Sequence, residues 1–154
     1  MVPGSSDFYK YSGACKLYLD DGEGAQRDLN IALGSNPDDP EIYYYLGVLM
    51  NDVLDQPSTA YEYMSNAIEL DDQNADYYYE RARSSFDMLN FQAARDDINI
   101  ALQQNHRQGD FYALRGQIKM ELDDSQADFC QDFQKALEWG TSYNLTRTIK
   151  KACK

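Results

Sequence analysis

Two spacings of apolar positions run along the chain. An aromatic side chain is followed four residues later by glycine or alanine at Tyr9 and Gly13, Tyr43 and Gly47, Tyr78 and Ala82, and Tyr112 and Gly116. A larger apolar side chain is followed three residues later by alanine at Leu29 and Ala32, Met64 and Ala67, Ile98 and Ala101, and Phe133 and Ala136. Spacings of three and four put each pair on one face of a helix. The small residues of the first set recur after 34, 35 and 34 residues, and those of the second after 35, 34 and 35. Two marks locked to one period predict four copies of a helix pair. Where helices approach within about 8–10 Å, glycine or alanine leaves the hole that a bulky neighbour fills. Each pair leaves an apolar flank for the next to cover, so the stack needs closed ends.

Pro37 closes the first copy, and Asp38 and Asp39 with Pro40 suit the start of the next helix. The unit resembles the tetratricopeptide repeat, with its aromatic, Leu-Gly pair, two alanines and closing proline. Copy two matches through Tyr43, Leu46, Gly47, Ala60, Met64 and Ala67, and copy three through Tyr78, Ala82, Ala94, Ile98 and Ala101. The closing proline is missing from copies two to four, Ser12, Arg81 and Arg115 replace the usual leucine, and copies two and four carry one extra residue. The resemblance implies an all-α fold, a right-handed α-solenoid of four tetratricopeptide helix-turn-helix repeats at about residues 6–39, 40–74, 75–108 and 109–143. A C-terminal capping helix is expected over residues 144–154, and a flexible or appended start over residues 1–5, in one single domain. In the cap, Leu145, Ile149 and Ala152 fall on one side, while Arg147, Lys150, Lys151 and Lys154 are expected to stay in water.

Charge narrows the partners. The net charge is −12, whereas phosphate binding draws on a surplus of lysine and arginine, so nucleic acid is not expected. All 26 acidic residues lie before residue 144, against ten of the 14 bases, so the body is acidic and the last helix basic. Such a body suits solubility and could attract a basic partner. The apolar runs are far shorter than the roughly 20 residues of a membrane span. The opening Met-Val-Pro-Gly-Ser-Ser has neither the positive charge nor the apolar core of a signal peptide.

Chemistry finds little support. The only histidine, His106, lies between copies three and four, and no phosphate loop, Cys-x-x-Cys or His-Glu-x-x-His is present. No enzyme and no cofactor are expected. The pairs Asp20-Asp21 and Asp123-Asp124 fall in turns within repeats, while Asp38-Asp39 and Asp71-Asp72 fall between repeats, where aspartate caps the next helix. Capping explains them without a metal, and no stretch supplies the alternating oxygen ligands of a calcium loop.

Cys130 and Cys153 lie ten residues before and thirteen after Gly140. Antiparallel helices joined at Gly140 would bring them together, and a disulfide there would contribute about 3 kcal/mol on the chain-entropy model. The alternative is two small buried thiols. The ending Asp128-Phe129-Cys130, then Asp132 to Leu137, then Ile149 to Cys153 resembles that of exported tetratricopeptide proteins of the bacterial cell envelope. This resemblance favours the periplasm or envelope over the cytoplasm, as disulfides follow the redox compartment. Cys15, at a position usually alanine, is expected to be a buried, inert thiol.

By the same resemblance, the first helix of each pair lines a concave groove. Its positions fall on Asp7, Lys10, Ala14, Leu17 and Tyr18; Glu41, Tyr44, Val48, Asn51 and Asp52; Asp76, Tyr79, Arg83, Phe86 and Asp87; and Asp110, Ala113, Gln117, Met120 and Glu121. Lys10, Tyr44, Val48, Asn51, Tyr79, Arg83 and Gln117 are the expected ligand contacts, through hydrogen bonds and tyrosine faces. The chaperone-binding members grip a terminal carboxylate with lysine, arginine and asparagine. Here Lys10 matches, but Ala14, Tyr45, Asp76 and Glu80 replace the rest, so acidic tails are not expected to bind. The resemblance thus implies a non-catalytic protein–protein interaction scaffold for a peptide or partner segment. The alternative is a self-assembly module pairing through a solenoid end, which would give a homo-oligomer.

Overall fold

A computed structural model describes residues 4–153, so residues 1–3 of the expected start and Lys154 of the expected cap lie outside it. Helices α1 (Ser6–Tyr18) and α2 (Gly22–Ser35) form the first pair, and α3 (Pro40–Asp52) and α4 (Pro57–Leu70) the second. The third pair is α5 (Ala75–Asp87) with α6 (Phe91–Gln104), the fourth α7 (Gly109–Glu121) with α8 (Gln126–Trp139), and a short α9 (Thr146–Ala152) follows. No strand occurs among the described residues. The chain divides into two compact units, one ending at Gln73 and the other starting at Asn74, so each holds two helix pairs.

Polar residues start most helices. Ser5, Asp21, Asp39, Asn74, Asn90 and Ser125 each accept a hydrogen bond from a backbone N–H of the first turn, satisfying a donor with no partner inside the helix. Asp39 thus caps α3 as expected. Asp71 and Asp72 do not cap α5; Asn74 does, because Asp71 is the residue that ends α4. Within each pair the turn passes through one left-handed residue: Asp20 (φ 62°), Asp55 (51°), Leu89 (61°) and Asp123 (55°). Aspartate tolerates that conformation through local hydrogen bonding, and leucine has no such compensation.

The small residues of the period sit where the packing argument puts them. A Cβ added to Gly13 would lie 2.7 Å from Leu29 Cγ, one added to Gly47 2.5 Å from Met64 Cε, and one added to Gly116 2.5 Å from Phe133 Cε1. In copy three Ala82 and Ile98, its counterpart to Phe133, are both fully buried. In the first unit, Leu29, Ala32, Ile42 and Leu46 form one cluster and Ala25, Leu49, Met50 and Ala60 another, with Leu17 and Tyr63 packed against both.

Ion pairs tie the two helices of a copy together wherever the usual leucine is replaced. Asp28 accepts from Ser12 Oγ at 2.5 Å and from Lys16 Nζ at 2.6 Å. Arg81 holds Asp97 through two bonds of 2.8 Å. Arg115 holds Asp132 at 2.9 and 2.7 Å, with Lys119 also at 2.8 Å. Copy two has Leu46 and Tyr63 at these places and packs them apolar instead. Asp132 is only 1% exposed, so removing these partners would leave a buried carboxyl without hydrogen bonds.

The array closes as a bridged cap. Cys130 on α8 and Cys153 after α9 form a disulfide with Cα atoms 5.7 Å apart. Leu145 is buried, Ile149 and Ala152 are half-buried, and Arg147, Lys150 and Lys151 are exposed. The helical part, Thr146–Ala152, is shorter than the expected 144–154 because Leu145 starts it and Cys153 ends it. Gly140 has φ 77°, which glycine adopts without strain, and its carbonyl lies so close to Gly109 that a side chain there would collide with it. Cys15 corrects its expectation: it is a free thiol on the exposed side of α1, not a buried one.

Candidate functional site

In the second unit, α5 and α7 present two adjoining clefts. One, of about 210 Å³, is lined by Arg83, Phe86, Asp87, Leu114, Gln117 and Tyr143. The other, of about 230 Å³, is lined by Phe86, Gln117, Met120, Glu121 and Thr148. Phe86 and Gln117 belong to both, so the clefts form one trough. Arg83, Phe86 and Asp87 come from one face of α5, and Leu114, Gln117, Met120 and Glu121 from one face of α7, by spacings of three and four.

The segment after α8 flanks the trough, with Tyr143 lining one cleft and Thr148 the other. Asp110, in the first turn of α7, accepts hydrogen bonds from Thr141 Oγ1 at 2.6 Å, the Ser142 backbone N–H at 2.7 Å and Ser142 Oγ at 3.0 Å. This anchor folds the chain back and delivers Tyr143, whose hydroxyl lies 3.1 Å from that of Tyr79. The Tyr79 ring also stacks on Phe111, with centroids 4.8 Å apart. Burial, together with the neighbouring Tyr143, raises the Tyr79 hydroxyl well above the usual tyrosine range, and burial raises Tyr143 too. The two phenols therefore stay neutral and share a hydrogen bond.

Of the expected contacts, the structure brings Arg83 and Gln117 together in the trough, while Tyr79 lines neither cleft and reaches the site only through its hydroxyl contact with Tyr143. Arg83 donates to Glu80 at 2.8 Å, so its charge is already matched within α5. In the first unit, Tyr44, Val48 and Asn51 share one face of α3 and are half-buried, with Tyr44 edge-on to Tyr45 at 5.4 Å. Lys10 requires a correction. It is 5% exposed rather than open to solvent, and its ammonium is already held by Asp39 at 2.8 Å and Glu41 at 2.6 Å. Burial opposes that charge, but the hydrogen bonds to Asp39 and Glu41 outweigh it and raise Lys10 above the usual lysine range.

Phe86, Asp87, Met120 and Glu121 are not among the expected contacts, although they occupy groove positions of the repeat; the register alone marks them. Leu114, Tyr143 and Thr148 lie outside those positions, and nothing periodic marks them. Among the described residues, no group of three or more His, Cys, Asp or Glu side chains is placed to hold a metal ion. No described helix is long and apolar enough to cross a membrane.

No protein-family model and no curated protein matches the chain. Solved structures do. A crystal structure of MamA is 24% identical, covering 82% of this chain and 73% of that one with a TM-score of 0.73. YrrB, described as a tetratricopeptide-repeat protein with an unusual peptide-binding site, is 17% identical over 96% of this chain and 75% of its own, with a TM-score of 0.77. The first such domain of Spaghetti (RPAP3), solved with the HSP90 peptide SRMEEVD, is 14% identical over 78% of this chain and 97% of its own, with a TM-score of 0.74. With four helix pairs at the repeat's period and these shared folds, the chain is in fold a tetratricopeptide-repeat array with a C-terminal cap.

Proposed function

We propose that the chain is a non-catalytic protein-interaction scaffold whose α5–α7 face receives a segment of a partner protein. The observation that carries this is the trough, which combines apolar walls at Phe86, Leu114 and Met120 with polar groups at Arg83 and Gln117. Such a mixture of apolar surface and a few placed polar groups suits an extended peptide. The Gln117 carboxamide offers both a donor and an acceptor to a peptide unit. Peptide binding by proteins of the same fold supports the reading. The Cys130–Cys153 bridge supports an oxidising compartment, such as a bacterial periplasm or cell envelope.

The test places a photo-cross-linking residue at Gln117 and, as control, at the exposed Gln103 on α6. A partner captured from position 117 and not from 103 is then measured by calorimetry. Gln117→Arg is expected to weaken the complex about tenfold and Gln103→Arg to leave it unchanged. Equal capture at both positions, or equal affinity for both variants, would count against this face.

A further inference from the structure

We infer that the occupant of the α5–α7 trough is a basic segment, in which a lysine or arginine lies beside an apolar residue. This rests on the docking reading above and adds the chemistry of the partner. Asp87 and Glu121 end their respective helices at the same register position of copies three and four, and both are exposed at the trough's rim. Glu121 makes no hydrogen bond or ion pair among the described residues. The charged side chains that line the two clefts are two carboxylates, Asp87 and Glu121, and one guanidinium, Arg83, which also pairs with Glu80 at 2.8 Å, so by formal charge the lining is net negative. The basic side chains of α9, Arg147, Lys150 and Lys151, line neither cleft.

Beside these carboxylates stand Phe86 and Met120. An apolar wall ending in a carboxylate matches a side chain with an aliphatic stem and a cationic head. An acidic segment would instead bring its carboxylates against Asp87 and Glu121, a like-charge arrangement that specificity uses to reject partners. The net charge of −12 acts in the same direction at longer range, raising the encounter rate of cations. Apolar wall, rim charge and overall field therefore select the same occupant.

The experiment pans a displayed library of short random peptides on the disulfide-bonded chain, with the Gln117→Arg variant used to subtract peptides that bind elsewhere. Enrichment of lysine or arginine next to leucine, isoleucine or an aromatic is expected. Calorimetry of one enriched peptide should show Glu121→Gln weakening binding about two- to fivefold, and the affinity should fall as salt is raised. The melting temperature of Glu121→Gln should match that of the parent, since no described residue depends on that carboxylate. Enrichment of peptides lacking lysine and arginine, or unchanged affinity in both Glu121→Gln and Asp87→Asn, overturns the inference and leaves docking at the trough standing. Failure to recover any peptide that distinguishes the chain from Gln117→Arg overturns both.

Discussion

Replacing Gly116 with alanine puts a methyl group where Phe133 already sits. The new Cβ would lie 2.5 Å from Phe133 Cε1 and 2.7 Å from Cδ1, whereas ordinary contact begins at 3.4 Å, so the ring must retreat by about 0.9 Å. Phe133 is fully buried and already packs against Phe129, with centroids 6.2 Å apart, so it has little room to move. Overpacking of this kind costs about 1–3 kcal/mol, against a gain of about 1 kcal/mol from replacing a helical glycine. The expected net is a loss of up to about 2 kcal/mol. Gly34→Ala is the control: it lies in α2 with nothing within 4 Å of the new Cβ, so only the gain remains. The assay is urea unfolding followed by far-ultraviolet circular dichroism, read as midpoint shifts at constant slope. A second arm adds Phe133→Ile, recreating the Ala82 and Ile98 pair of copy three. Phe133→Ile alone leaves a void costing on the order of 1–2 kcal/mol. Combined with Gly116→Ala, it should cost less than the sum by about 1 kcal/mol, because one change fills what the other empties. Gly116→Ala as stabilising as Gly34→Ala, or a cycle additive within about 0.5 kcal/mol, would refute the reasoning.

Thiol titration of the unfolded, unreduced chain should find one thiol, Cys15, and three after reduction; in the native chain Cys15 should label readily because it is exposed. Serine at both Cys130 and Cys153 should lower stability by about 3 kcal/mol, as their separation of 23 residues implies, and an unchanged urea midpoint would contradict it. Leu89→Asp should raise the melting temperature through a gain of about 1 kcal/mol, since it gives the left-handed turn of copy three the residue type that the other copies use. Burial opposes ionisation of Asp28, but the bonds from Lys16 and Ser12 outweigh it and hold its carboxyl below the usual aspartate range. Its contribution is therefore present above the ordinary carboxylate pKa and lost as pH falls through the lowered value. Asp28→Asn should be less stable than the parent at neutral pH, with the gap in melting temperature closing under acid; a gap independent of pH would contradict this.

Features that repeat along the chain are legible in its sequence, and features that occur once are not. Gly13, Gly47, Ala82 and Gly116 were legible because the same steric problem is solved in every copy, and the solution recurs at a fixed period. The ion pairs were half-legible. Ser12, Arg81 and Arg115 stood out as departures, and Asp28, Asp97 and Asp132 precede the bulky residue in those same copies, while Leu46 faces Tyr63 in the other. Reading replacement and aspartate together would have identified each pair, since a buried charge requires its counter-charge nearby.

From the sequence alone follow the helix pairs and the small-to-large packing within each pair, while the bridge between Cys130 and Cys153 was one of two readings that the structure decided. The pairs and their packing depend on local periodicity. Only the tertiary structure decided that Lys10 is held by Asp39 and Glu41, that Cys15 faces outward, and that Asp110 turns the chain back to set Tyr143 against Tyr79. Each of these joins side chains brought close by folding, and none is repeated, so no period in the chain could announce it. The trough has the same origin: the repeat register supplies Phe86, Gln117 and Glu121, and the segment that flanks them supplies Tyr143 and Thr148.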